Sequence, residues 1–95
     1  MREKLFTVED HFQINGRGIV VTGQLEPDSP VFKVGSEVIL VRPDGEEFVT
    51  EVIGIEHIKV INNQIFNRNR IGVLLKNINF KEDIPIGAEV FLDKS

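Results

Sequence analysis

The stretch Phe12-Gln13-Ile14-Asn15-Gly16-Arg17-Gly18-Ile19-Val20-Val21-Thr22 decides the fold. Asn-Gly is the strongest short hairpin signal, because both residues tolerate the positive φ that a tight turn between antiparallel strands demands. The β-branched run Ile19-Val20-Val21-Thr22 makes the returning strand. Upstream, Phe6, Val8, Phe12 and Ile14 recur with a period of two and share one face of an extended segment. Polar Asp10 interrupts that spacing, which predicts a bulge or a bend near Glu9 and Asp10.

Downstream the same alternation continues, and no stretch settles into the helical period of 3.6. Pro27-Asp28-Ser29-Pro30 forces a loop, since each proline fixes its own φ and lacks an N–H. Further strands are expected over residues 37–42, 47–58, 69–76 and 88–92, with Pro43-Asp44-Gly45 turning the chain between the first two. Six strands spaced by turn chemistry in 95 residues predict an all-β fold, a closed or nearly closed six-stranded barrel. A weak internal echo accompanies them. Phe32-Lys33-Val34-Gly35-Ser36-Glu37-Val38-Ile39-Leu40 is similar to Ile84-Pro85-Ile86-Gly87-Ala88-Glu89-Val90-Phe91-Leu92, 52 residues later. Two similar barrel corners account for it.

Ninety-five residues fit a single domain, residues 1–95 with a barrel core over about 5–92. A protein of this size buries roughly two-thirds of its surface on folding, enough for one core without disulfide or metal. Absence of cysteine excludes disulfides, thiolate metal sites and cysteine nucleophiles. No long apolar run follows charged Arg2, Glu3 and Lys4, so neither a signal peptide nor a membrane helix is expected, and the expected location is the cytoplasm.

Charge is uneven within a formal total of −4: residues 57–81 hold five basic and no acidic side chains, the rest being acidic. Lys59, Arg68, Arg70, Lys76 and Lys81 are interleaved there with Phe66, Phe80 and six asparagines. Such a stretch suits phosphate contact with base stacking, or else the solvated face of two strands. Catalytic chemistry is thin. His11 and His57 fall in different strands, the three serines lie in loops or at the terminus, and adjacent acidic pairs point to opposite faces of a strand. Gly16-Arg17-Gly18 lacks the third glycine and the following helix that a dinucleotide fingerprint needs. No enzyme activity, nucleotide, metal or cofactor is expected.

Gly16-Arg17-Gly18-Ile19-Val20-Val21-Thr22-Gly23 resembles the G-R-G-x-V-V-T-G signature in the second domain of elongation factor Tu and related translational GTPases. The likeness continues in order. Lys33-Val34-Gly35-Ser36-Glu37-Val38 resembles K-V-G-D-E-V, Gly54-Ile55-Glu56 resembles G-I-E, and Ile71-Gly72-Val73-Leu74-Leu75-Lys76 resembles V-G-V-L-L-R. Residues 84–90 are loosely similar to the closing I-x-R-G-x-V.

This resemblance implies a six-stranded Greek-key β-barrel and, as partners, the 3′ end of a tRNA, ribosomal RNA or a protein of the translation machinery. By motif register it places a terminal-adenosine pocket at Phe32, Val38, Glu56 and Leu74, with Lys59, Arg68 and Arg70 as further RNA contacts. Departures are evident. These 95 residues hold no counterpart of the GTPase domain or the third domain, so no GTP hydrolysis is expected of them. Asn67-Arg68-Asn69-Arg70 stands where the family has A-G-D/E-N, and Ile86 stands in place of the closing arginine. A freestanding, non-catalytic RNA-contacting module is the first expectation. A protein-interaction module without RNA binding is the second.

Overall fold

The computed structural model describes residues 2–57, 70–76, 78 and 83–93, His57 by its backbone alone. The Asn15-Gly16-Arg17 turn joins β2 (Asp10–Ile14) to β3 (Gly18–Gln24), with Phe12 opposite Val20. Gly16 sits at φ +78°, and the Arg17 amide donates to the Ile14 carbonyl at 3.0 Å. The other strands are β1 (Arg2–Thr7), β4 (Glu37–Val41), β5 (Glu47–His57), β6 (Arg70–Leu75) and β7 (Glu89–Asp93). They form one antiparallel sheet in the order β1-β7-β4-β5-β6-β3-β2. Among the described residues there is no α-helix, and no helix long and apolar enough to cross a membrane.

Among the described residues the all-β expectation holds, with seven strands rather than the six expected. The extended run through residues 6–14 is divided at Val8 and Glu9. Val8 exchanges hydrogen bonds with the β7 side, from its amide to Ala88 O at 2.8 Å and from the Gly87 amide to its carbonyl at 2.9 Å. The next amide, of Glu9, donates to Thr22 of β3 at 2.8 Å, and Asp10 also faces Thr22. Two residues against one is the arrangement of a bulge, which falls where the interrupted alternation predicts it. The two pieces thus become opposite edges of the sheet, and no ladder joins β1 to β2. A barrel closed by hydrogen bonds is therefore not what the ladders describe.

Packing takes over at that seam. A Cβ on Gly23 would lie 2.6 Å from Phe6 Cδ2 and run into the Thr7 carbonyl oxygen, so glycine is what lets β1 pass against β3. The Glu26 amide then donates to Leu5 O at 2.8 Å. Alternation turns Leu5, Val21, Val38, Val52, Val73 and Val90, among others, into one continuous core. Each fully buried aliphatic side chain contributes about 1.5–3 kcal/mol.

The internal echo becomes a pseudo-two-fold relation between the two halves. Residues 52 apart face each other at two places, Ile39 opposite Phe91 and Val21 opposite Val73. Gly35 and Ser36 exchange backbone hydrogen bonds with Val52 as Gly87 and Ala88 do with Val8. Gly35 and Gly87 even share their backbone conformation, φ +98° and +97°. Both corners need a glycine there because side chains rarely adopt that region.

Candidate ligand pocket on the outer face of the sheet

Residues that do not point into the core form the outer face of β2, β3, β6 and β5. One row runs Phe12, Val20, Leu74, Gly54, and the next runs Asp10, Thr22, Gly72, Glu56. Gly54 and Gly72 have no side chains to contribute, so the surface sinks between Val20, Leu74 and Glu56 into a cavity of about 140 Å³. A Cβ on Gly54 would sit 3.3 Å from Leu74 Cβ, so the depression is tight as well as shallow. Ile14 and Arg17 complete its rim from the β2–β3 hairpin. Phe12, 51% exposed, extends the apolar row beyond it.

The chemistry is mixed. Leu74 and Val20 offer an apolar wall, whereas the exposed Glu56 carboxylate accepts hydrogen bonds and the Arg17 guanidinium donates them. Neither charged side chain has an ion-pair or hydrogen-bond partner among the described residues. Whole small-molecule sites usually enclose about 300–1,000 Å³. A cavity well below that range accommodates the end of a larger ligand.

The residues expected from motif register separate in space. Glu56 and Leu74 come together in this pocket. Val38 is fully buried in the core, between Thr50 on β5 and Leu92 on β7. Phe32 is half-buried and lines a separate crevice of about 330 Å³ with Leu25, Pro30, Val31, Ile55 and Ile71. Arg70 forms an ion pair with Glu9, Nη1 to Oε1 at 2.7 Å. Lys59 and Arg68 lie outside the described residues, as do most other members of the basic stretch. Ile14, Arg17, Val20, Gly54 and Gly72 were missed. The signal for them was present in the alternation itself, which puts Ile14 and Val20 on the face opposite to Ile19 and Val21.

A larger, polar groove of about 560 Å³ lies against β4 and β5, but its arginine is already committed. Arg42 stacks 5.0 Å from the Phe48 ring centroid, donates from Nε to Asp83 O at 2.8 Å and reaches Glu46 at 3.3 Å. Elsewhere, Lys4 bridges Glu89 at 3.0 Å and Glu26 at 3.2 Å. Hydrogen bonding to Glu89 is the largest influence on the Lys4 pKa; burial opposes it, and the hydrogen bond to Glu26 with the two carboxylate charges leaves the pKa raised above its ordinary 10.5. His11 Nδ1 lies 2.7 Å from the Ile84 carbonyl, a contact that ties β2 to the approach to β7. Among the described residues, no three His, Asp or Glu side chains cluster as a metal site.

Among the described residues the chain is an antiparallel β-domain without α-helix, with the turn that resembles G-R-G-x-V-V-T-G at the rim of its outer-face pocket. No family model matches the chain. The chain is similar to the apicoplast elongation factor Tu of Theileria parva, with 38% identity over 91 residues. That similarity covers 96% of this chain and 21% of the relative, so the chain spans about a fifth of the protein it matches. The resemblance to the second domain of elongation factor Tu therefore extends over nearly all of the chain.

Proposed function

We propose that this domain is a non-catalytic binding module whose outer-face pocket receives the end of an RNA strand, from a tRNA 3′ terminus or an exposed ribosomal RNA segment. One observation carries the reading: Glu56 is an unpartnered carboxylate, among the described residues, beside an apolar, glycine-floored depression, with Arg17 across it. A terminal nucleoside matches that combination. Its base and ribose present faces to Leu74 and Val20, its hydroxyls donate to Glu56, and its phosphate pairs with Arg17. Similarity to a segment of elongation factor Tu supports the same reading.

Phe32 and Val38 then belong to folding rather than to the pocket. Arg70 contributes only where a phosphate displaces Glu9, while Lys59 and Arg68 remain part of the proposed contact surface. A net charge of −4 makes the affinity modest and strongly dependent on salt. A second reading, a protein-interaction domain, draws on Val31 and Val34, which are 96% and 57% exposed on the loop between β3 and β4.

The test is an NMR titration of the labelled domain with a short RNA ending in a free 3′ adenosine. Glu56→Gln and Arg17→Ala should each weaken binding by about tenfold or more, the size expected for losing a charged hydrogen bond. Shifts should centre on residues 54, 56, 72 and 74. Absence of any shift at millimolar RNA in low salt would dispose of this reading.

A further inference from the structure

We propose that Asn15 is a site of spontaneous deamidation, a covalent modification that places a new carboxylate at the rim of the outer-face pocket. Of the seven asparagines in the sequence, Asn15 alone precedes a glycine. That matters because the attacking atom is the backbone nitrogen of the following residue, and a side chain there obstructs its approach.

The reaction needs only water. The Gly16 nitrogen bonds to Cγ of Asn15, and the bond between Cγ and Nδ2 breaks. The Gly16 amide proton passes through solvent to the departing nitrogen, which leaves as ammonia. Water then opens the resulting five-membered imide at either carbonyl, giving aspartate or isoaspartate. No oxidant or enzyme enters the balance.

Local geometry favours the first step. In the turn it is Arg17, not Gly16, whose amide donates to Ile14 O, at 3.0 Å. Among the described residues neither the Gly16 N–H nor the Asn15 side-chain amide has a hydrogen-bond partner. Both residues are exposed, and a Cβ built on Gly16 would find no heavy atom within 4 Å. The nucleophile is thus free and the tip is unobstructed.

The product adds one negative charge to a protein that is already at −4, next to Ile14 and two residues from Arg17. Charge-changing modifications act through the groups they face. Here the new carboxylate competes for Arg17 at the pocket rim, and the isoaspartate form also lengthens the backbone of the turn. This consequence rests on the proposed RNA reading, whereas the modification itself does not.

Folded protein would be held in mildly alkaline buffer at physiological temperature and sampled by peptide mass spectrometry, with isoaspartate detected by enzymatic methylation. The expected result is acid and isoaspartate accumulating at Asn15 at a rate comparable to that of the urea-unfolded protein. Gly16→Ala should slow it sharply, and Asn15→Gln, which keeps the glycine that the turn needs, should be inert. If Asn15 stays an amide in the folded protein while the unfolded form deamidates, the turn protects it and the proposal falls. RNA titration separates the two ideas: Asn15→Asp should weaken binding severalfold. Deamidation at Asn15 with unaltered RNA affinity in Asn15→Asp would overturn the effect on the pocket and leave the modification standing, whereas loss of all RNA shifts in the unmodified domain would overturn the pocket reading alone.

Discussion

Gly23→Ala probes the seam between the two edge strands. The added methyl would meet the Thr7 carbonyl oxygen, with Phe6 Cδ2 at 2.6 Å and the Thr7 carbonyl carbon at 3.3 Å. Phe6 could rotate only into a core where it is already fully buried, and the backbone of β1 cannot move without straining its ladder to β7. Overpacking of this kind costs about 1–3 kcal/mol, and a backbone obstruction belongs at the upper end. For a domain of this size, 1 kcal/mol lowers Tm by roughly 4–8 °C, so a fall of about 10–20 °C is expected. Far-UV circular dichroism during urea or thermal unfolding is the suitable assay, since the protein has neither Trp nor Tyr. Gly54→Ala is the comparison, because its nearest obstacle is a side-chain atom at 3.3 Å rather than a carbonyl oxygen. If Gly23→Ala unfolds within about 0.5 kcal/mol of the parent, the usual range for neutral substitutions, β1 does not pass against β3 as described.

Val38→Ala should destabilise the fold by about 2 kcal/mol and leave RNA affinity unaltered at temperatures where the variant is folded, because the side chain is enclosed in the core. A changed affinity in the folded variant, by the same NMR titration, would return Val38 to the binding site. Lys4→Met should cost a few tenths to about 1 kcal/mol at neutral pH, since the bridges to Glu89 and Glu26 are partly exposed. The folded pKa of Lys4 lies above the ordinary 10.5, so its stabilisation is complete below that value and is lost as pH rises through the folded value. Thermal unfolding of both proteins from about pH 7 to pH 12 should therefore show a constant gap that shrinks only in the most alkaline range.

Local chemistry made the hairpin, the break near Glu9 and four of the later strand positions legible, because turn residues and a period of two are short-range signals. The expected strand over residues 69–76 is observed as Arg70–Leu75, and the one over 88–92 as Glu89–Asp93. Edge identity is a different matter. Whether residues 6–14 form one strand or two depends on which neighbours Val8 and Glu9 meet, and those lie at residues 87–88 and 22. The pocket was half legible for the same reason. Glu56 stood out as a carboxylate in an apolar strand, and Leu74 through its motif, but their neighbours follow from cross-strand register. Motif order alone supplied Phe32 and Val38, which carry no such register information.

The pseudo-two-fold relation explains why a depression lies at Glu56 and not on the other half of the same face. Matching the ladders makes Asp10 equivalent to Gly54, Phe12 to Glu56, Val20 to Gly72 and Thr22 to Leu74. On the first half every one of these positions carries a side chain, and Thr22 Oγ1 is 3.4 Å from the Asp10 carbonyl. On the second, two of the four are glycine, and the position that holds an aromatic ring in its counterpart holds a carboxylate. The sheet and its core keep the symmetry, as Val21 opposite Val73 shows. Gly72 in mid-strand weakens its strand by roughly 0.5–1 kcal/mol relative to alanine, whereas Gly54 leaves room for Leu74, whose Cβ would lie 3.3 Å from an added methyl. The depression therefore follows from two glycines and a carboxylate at positions whose counterparts carry larger or uncharged side chains, while the pairing that frames it stays symmetric.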